Sequence, residues 1–232
     1  MIRTVSFVAL LATSACADTI RSAEYGAPTD RYAHGILGDA IEWGELRLET
    51  DGGVRIFTLP QERVFEDVAP RLVDLDGDGE PEVVVVETLN TAGAQLAVYD
   101  AGGKIAATPH IGRTNRWLSP VGAADLDGDG LIEIAYIDRP HLAKTLRVWR
   151  FVDGGLVPVA DLPRLTNHRI GERDIGGGIR DCGEGPEMIT ASADWTRVMA
   201  TTLSDGALET GAIGPHRDRS SFATALACED VR

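Results

Sequence analysis

The sequence predicts an all-β chain built from four similar units, and three observations carry that prediction. Glycine turns recur at one phase, in Asp51-Gly52-Gly53, Ala101-Gly102-Gly103, Asp153-Gly154-Gly155 and Asp205-Gly206. Taken at Gly52, Gly102, Gly154 and Gly206, the turns are 50, 52 and 52 residues apart. A β-rich run precedes each turn (Leu46–Leu48, Leu96–Tyr99, Leu146–Trp149, Val198–Thr201) and a proline follows it (Pro60, Pro109, Pro163, Pro215). No stretch sustains a helical period of 3.6 over about ten residues.

In chain order, residues 1–17 read as a targeting segment. Arg3 supplies the positive start, Phe7–Leu11 the apolar centre, and Ala15-Cys16-Ala17 an A-x-A cleavage site. This favours export as a soluble periplasmic or secreted protein. The alternative is a lipoprotein anchored through Cys16, although Thr13 stands where that signal expects Leu. The run is too short to span a bilayer, and no later apolar run is long enough to do so. Either way Cys182 and Cys228 remain, in a compartment that favours a disulfide between them.

Residues 18–35 read as an N-terminal extension and 36–232 as a single repeated domain. The first unit offers strands at Ile36–Ala40, Glu45–Leu48 and Val54–Leu59, one short of the others. The second offers Arg71–Leu75, Glu82–Glu87, Gln95–Tyr99 and Lys104–Ala107; the third Gly122–Asp125, Glu133–Ile137, Leu146–Trp149 and Leu156–Ala160. The fourth offers Gly178–Asp181, Met188–Ala193, Val198–Thr202 and Ala207–Ala212. Phe222–Cys228 has the small-apolar pattern of an inner strand and would supply the one missing from the first unit. These elements specify a β-propeller of four blades, closed by the C-terminal strand joining the N-terminal blade. A Cys182–Cys228 bond would then fasten the closing strand.

Composition narrows the function. Of 232 residues 44% are apolar and 25% charged, enough to bury a core. Acidic residues outnumber Lys and Arg by 36 to 22, a net charge of −14 that argues against a nucleic-acid surface. The acids concentrate in two near-identical loops between first and second strands, Asp74-Leu75-Asp76-Gly77-Asp78-Gly79-Glu80-Pro81-Glu82 and Asp125-Leu126-Asp127-Gly128-Asp129-Gly130-Leu131-Ile132-Glu133. Carboxylates at positions 1, 3, 5 and 9 converge because the glycines let the chain fold back. Hard oxygens in this number suit Ca²⁺, with the position-7 carbonyl of Glu80 or Leu131 as a further ligand. An EF-hand is excluded, since its position-12 Glu is replaced by Val85 or Tyr136 and a strand follows each loop.

These loops resemble the FG-GAP/VCBS repeat family of calcium-binding propellers, which includes the integrin α head. The resemblance covers most of Glu66 to Ala193 and implies two calcium sites that are structural in role. The fourth unit departs from it: only Asp181 and Glu187 stay acidic at ligand positions and Cys182 enters the loop, as if a disulfide had replaced a metal.

The blade-to-blade crossings should lie at the other end of the strands and place Arg63, Arg116, Arg169 and Arg219 at similar phase, with His168 beside them. They can ring a channel mouth and hold a carboxylate or phosphate, or they can brace blades against carboxylates such as Glu66, Asp67 and Asp174. The expected function is a binding or interaction module at the cell envelope, its partner an envelope protein, a glycan or a small anion. The alternative is a small envelope hydrolase or lyase acting on an anionic saccharide or phosphoester at the channel mouth. No G-x-S-x-G, H-E-x-x-H or P-loop accompanies it.

Overall fold

Runs such as Val83–Val86, apolar at every position, belong to strands buried on both faces, and stacked sheets are what such strands build. The computed structural model describes residues 18–232; the targeting segment and Cys16 lie outside the described residues. In the first unit β2 (Glu42–Thr50) lies between β1 (Ile20–Thr29) and β3 (Gly53–Thr58). The second unit has β4 (Arg63–Phe65) and β5 (Arg71–Val73) along one edge of β6 (Glu82–Leu89), then β7 (Gly93–Asp100) and β8 (Gly103–Ala107). A Trp43–Phe65 pairing joins these two units into one eight-stranded sheet.

The third unit is the four-stranded sheet β9 (Leu118–Ala124), β10 (Glu133–Asp138), β11 (Thr145–Val152) and β12 (Gly155–Pro163). The fourth places β13 (Leu165–Thr166) and β14 (Gly178–Asp181) on one edge of β15 (Pro186–Ser192), followed by β16 (Arg197–Ser204) and β17 (Ala207–Pro215). All pairings are antiparallel, and the units pack in succession. Val83 and Val85 face the first unit beside Leu46 and Leu48, while Val84 and Val86 face the third beside Ile134 and Tyr136. Ala135 and Ile137 face the fourth beside Met188 and Leu203. The result is a propeller-like array of antiparallel sheets.

Three expectations are corrected. The strand expected at Phe222–Cys228 is a helix, α1 (Ser220–Leu226), so the chain supplies no closing strand there. Small residues and the i, i+3, i+4 spacing of Phe222, Ala225 and Leu226 explain it, because that face packs on Ile189, Ala191 and Val198. Asp218 Oδ1 starts the turn by accepting the Ser220 N–H (2.8 Å) and hydroxyl (2.5 Å). The helix therefore covers the outer face of the fourth unit. The Cys182–Cys228 bond forms, with Cα atoms 5.7 Å apart, but it pins this helix to its own sheet and not one blade to another.

Second, the extension expected at 18–35 contains β1, paired along β2 from Ile20 to Thr29. It is an edge strand carrying Gly26 and Pro28, in which Ile20 is buried and Ala23 and Tyr25 are partly buried. Third, Ile36–Ala40 is not a strand but part of a loop that ties the first unit to distant ones. Ile36 is buried in one cluster with Trp117 and Leu75, against which Ile175 also packs, and its carbonyl accepts the Gly171 N–H (3.0 Å). The Tyr32 hydroxyl accepts the Asn115 N–H (2.7 Å). Gly38, at φ 93°, has no room for a side chain: a Cβ would lie 2.8 Å from the Gly171 carbonyl oxygen.

Candidate metal centres and the cleft at the other end of the strands

Both acidic loops fold alike. The first residue of each is a cup: Asp74 accepts the Gly77 and Gly79 N–H groups (2.8 and 3.0 Å), and Asp125 accepts those of Gly128 and Gly130 (2.7 and 3.0 Å). The four glycines lie at φ between 77° and 90°, which lets these N–H groups turn inward. The last residue of each closes the loop: Glu82 accepts the Leu75 N–H and Glu133 the Leu126 N–H, both at 2.8 Å. Asp78 and Asp129 brace the next residue by accepting the Glu80 (2.7 Å) and Leu131 (2.9 Å) N–H groups.

Carboxylate oxygens of Asp74, Asp76 and Asp78 lie within 4.8 Å of one another, as do those of Asp125, Asp127 and Glu133. Burial pushes the Glu82 and Glu133 carboxyls upward, with Asp76 and Asp78 adding to the first and Asp127 to the second. Asp127 Oδ1 and Glu80 Oε2 are buried without a hydrogen-bond partner. Unmatched buried oxygens of this kind are satisfied by a hydrogen-bond donor or a cation. The donor set and the orphan atoms fit a hard divalent ion.

The loops differ in their neighbours. Arg150 on β11 reaches into the second loop, its guanidinium on Glu133 Oε1 (2.5 Å), Asp127 Oδ2 (2.7 Å) and Asp129 Oδ2 (2.8 Å). Glu133 pairs with Arg150 across the β10–β11 ladder. In the second unit, one step beyond the Val83–Tyr99 pair, that position is Asp100. No ion pair reaches a carboxylate of the first loop among the described residues. In the fourth unit Arg180 bonds Glu187 (2.8 Å), and Asp181 accepts only backbone N–H groups.

The four crossing arginines have different partners. Arg63 is ion-paired with fully buried Glu87, and Arg219 bridges Glu172 (3.1 Å) and Asp174. Arg116 is partly exposed and its side chain, among the described residues, bonds only its neighbour's carbonyl, Asn115 O (2.8 Å). Arg169 stacks 4.0 Å over the Trp195 ring, with Glu172 at 3.7 Å. Arg116 and Arg169 flank a groove made of two adjoining clefts of about 280 Å³ each, which share Pro140, His141 and Ile170. The groove lies at the Asp138 end of β10, away from the loop at Glu133.

Its floor is aromatic. Trp117 stacks on His141 at 6.5 Å and meets His168 edge-on at 4.9 Å, and the two histidines bond at 3.1 Å. His168 is wholly buried, its Nε2 against Glu172 O (2.9 Å). Burial holds both imidazoles neutral, His141 with His168 beside it down to about 4. Leu142 and Ile170, 64% and 70% exposed, stand at the rim. Left-handed backbone at Asn115, Arg139, Lys144 and Trp195 gathers around the groove, at a cost of about 1–2 kcal/mol each. Below the floor Glu66 is fully buried, holding His34 (2.5 Å) and Thr88 (2.6 Å).

Sequence reasoning missed Arg150, Leu142 and Ile170. Counting the ladder from Glu133 would have found the first; the other two carry no pattern beyond being apolar in a loop.

No curated protein matches the chain closely enough to count as a relative. The family of FG-GAP-like repeats does match, over residues 74–136. That span begins at the cup of the first loop, contains the second loop and ends in β10, so this part of the chain is similar to FG-GAP-like repeats.

Proposed function

We propose that the protein is an exported binding module whose four-unit, propeller-like array is stabilised by calcium at two loops and whose ligand is taken in the His141 groove. The observation that carries the reading is that two separate loops converge on one geometry, with a cupped first aspartate, a closing glutamate and unpartnered buried oxygens. Asp74, Asp76, Asp78 and Glu82 with the Glu80 carbonyl would hold one ion; Asp125, Asp127, Asp129 and Glu133 with the Leu131 carbonyl would hold the other. Calcium there neutralises carboxylates that otherwise repel, and so adds its binding free energy to the fold.

Export is supported by the Cys182–Cys228 bond, which persists in an oxidising compartment. No helix among the described residues is long and apolar enough to cross a membrane. The groove suits an anionic glycan or small organic anion at the cell envelope. Arg116 and Arg169 offer positive charge, and partly exposed His141 and Trp195 with the exposed rim offer apolar area.

Calcium titration of the chelated protein by calorimetry, with melting followed in parallel, tests the calcium reading. Binding at the loops with a rise in melting temperature supports it. No binding, and a melt indifferent to chelator, refutes it. Screening glycans and organic anions against wild type and Arg116→Ala/Arg169→Ala tests the groove: capture should be lost while melting is unchanged.

A further inference from the structure

Resting on the calcium reading above, we infer that the two loops are not equivalent: the first depends on calcium, whereas the second carries its own cation, Arg150, which calcium must displace. Three carboxylates of the second loop, Asp127, Asp129 and Glu133, each place an oxygen within 2.8 Å of the guanidinium. Arg150 is only 20% exposed, so this contact is poorly screened. The first loop has the opposite arrangement, with carboxylate where the second has guanidinium. Asp100 stands at the matching ladder position and lines the same 740 Å³ hollow as Asp76, Asp78 and Glu82.

The fourth unit shows where such a substitution leads. There only Asp181 and Glu187 stay acidic at the ligand positions, Arg180 holds Glu187, and a disulfide secures the turn. Calcium, arginine with carboxylates, and arginine with a disulfide are thus three ways of closing the same turn in successive units. Coulomb repulsion follows directly. A dication entering the second loop meets a positive charge already bonded to three of its four carboxylates, and it must pull those carboxylates away. One oxygen there, Asp127 Oδ1, is buried and still without a partner, so the site keeps affinity for a cation while being weakened.

The test is calcium calorimetry on the full chain as wild type, Arg150→Gln and Asp74→Asn, each also melted in chelator. Wild type should show one tight and one weaker site. Asp74→Asn should retain only the weaker. Arg150→Gln should tighten the weaker site by about tenfold, which is about 1.4 kcal/mol. It should also melt lower than wild type in chelator and recover when calcium is added. Two equal sites in wild type, or an Arg150→Gln variant with unchanged or weakened calcium binding, would overturn the inference while leaving the calcium reading standing. A weakened site would make the guanidinium a support for the ligands and not their competitor. If Arg150→Gln fails to fold, Asp74→Asn alone decides, since a residual site as tight as the first contradicts a resident counter-cation. Absence of calcium binding in every variant overturns both readings together.

Discussion

Reducing the Cys182–Cys228 bond should loosen the end of the array by an amount that its loop fixes. The cysteines are 46 residues apart, so the bond removes closure entropy from the unfolded chain worth about 4 kcal/mol. For a chain of this size each kcal/mol moves the melting temperature by about 2–4 °C, which predicts a fall of about 8–16 °C. The damage should be local before it is global. The seven-residue α1 is far too short to be helical alone and relies on packing of Phe222 and Ala225 against β15 and β16. Hydrogen exchange at Ala223–Cys228 should therefore accelerate in the reduced protein, while exchange in β6 and β10 stays slow. Calorimetric melts with and without reductant, alongside Cys182→Ser/Cys228→Ser and a thiol count, measure this. A reduced protein that melts within about 2 °C of the oxidised one would refute the entropic argument. A double serine variant that matches neither form would show that the free thiols, not the lost crosslink, set the effect.

Other expectations follow from single residues. Glu42 is 2% exposed beside Glu66, Asp39 and Asp67; burial first, and then those charges, raise its carboxyl to about 9. Its folded value lies above its unfolded one, so the cost is absent below about pH 4.5 and grows as pH climbs toward 9. Glu42→Gln should gain about 3 kcal/mol at pH 7 and nothing at pH 4, read by urea denaturation at both; a gain equal at both would contradict the titration. Arg63→Ala should cost about 2–3 kcal/mol, because buried Glu87 keeps Lys104 (3.1 Å) and the Tyr99 hydroxyl (2.8 Å) but loses its main partner. Arg116→Ala, which breaks no ion pair among the described residues, should stay within about 0.5 kcal/mol of wild type. Gly177→Ala should cost about 3 kcal/mol or more, since a Cβ there meets the Ile189 carbonyl oxygen at 2.0 Å with φ at 74°. Gly211→Ala, with open space, serves as the neutral control.

Most of the sheet content was legible because alternation and glycine turns are local signals. The strands expected in the second, third and fourth units all appear, often a few residues longer, and the two acidic loops take matching turns. What escaped was set by packing across long separations. β1 hides because an edge strand with Gly26 and Pro28 needs few apolar residues. Helix α1 falls below the window over which a helical period can be counted, and small residues such as Ala223 and Ala225 suit either state. Of the crossing residues, Arg219 braces on Asp174, one of the carboxylates expected for that role, whereas nothing in the pattern singled out Glu87 for Arg63 or Glu172 for Arg219. Arg150 was hidden for a related reason: aligning Gly154 with Gly102 sets it level with Val98, whereas the ladder sets it level with Asp100.

The loop around Ile36 has a bearing on how the protein comes apart. A linear row of repeats is held only by nearest neighbours, so its terminal members can fray while the middle stays folded. Here the Ile36 carbonyl is bonded to Gly171, and the same side chain is buried between the second and third units. Opening the first unit therefore disturbs the fourth, and opening the fourth withdraws a partner from the first. The chain should behave as a single cooperative block, with one melting transition where a simple row of four would show a graded one. Against a protease, that cooperativity guards the first and fourth units at once.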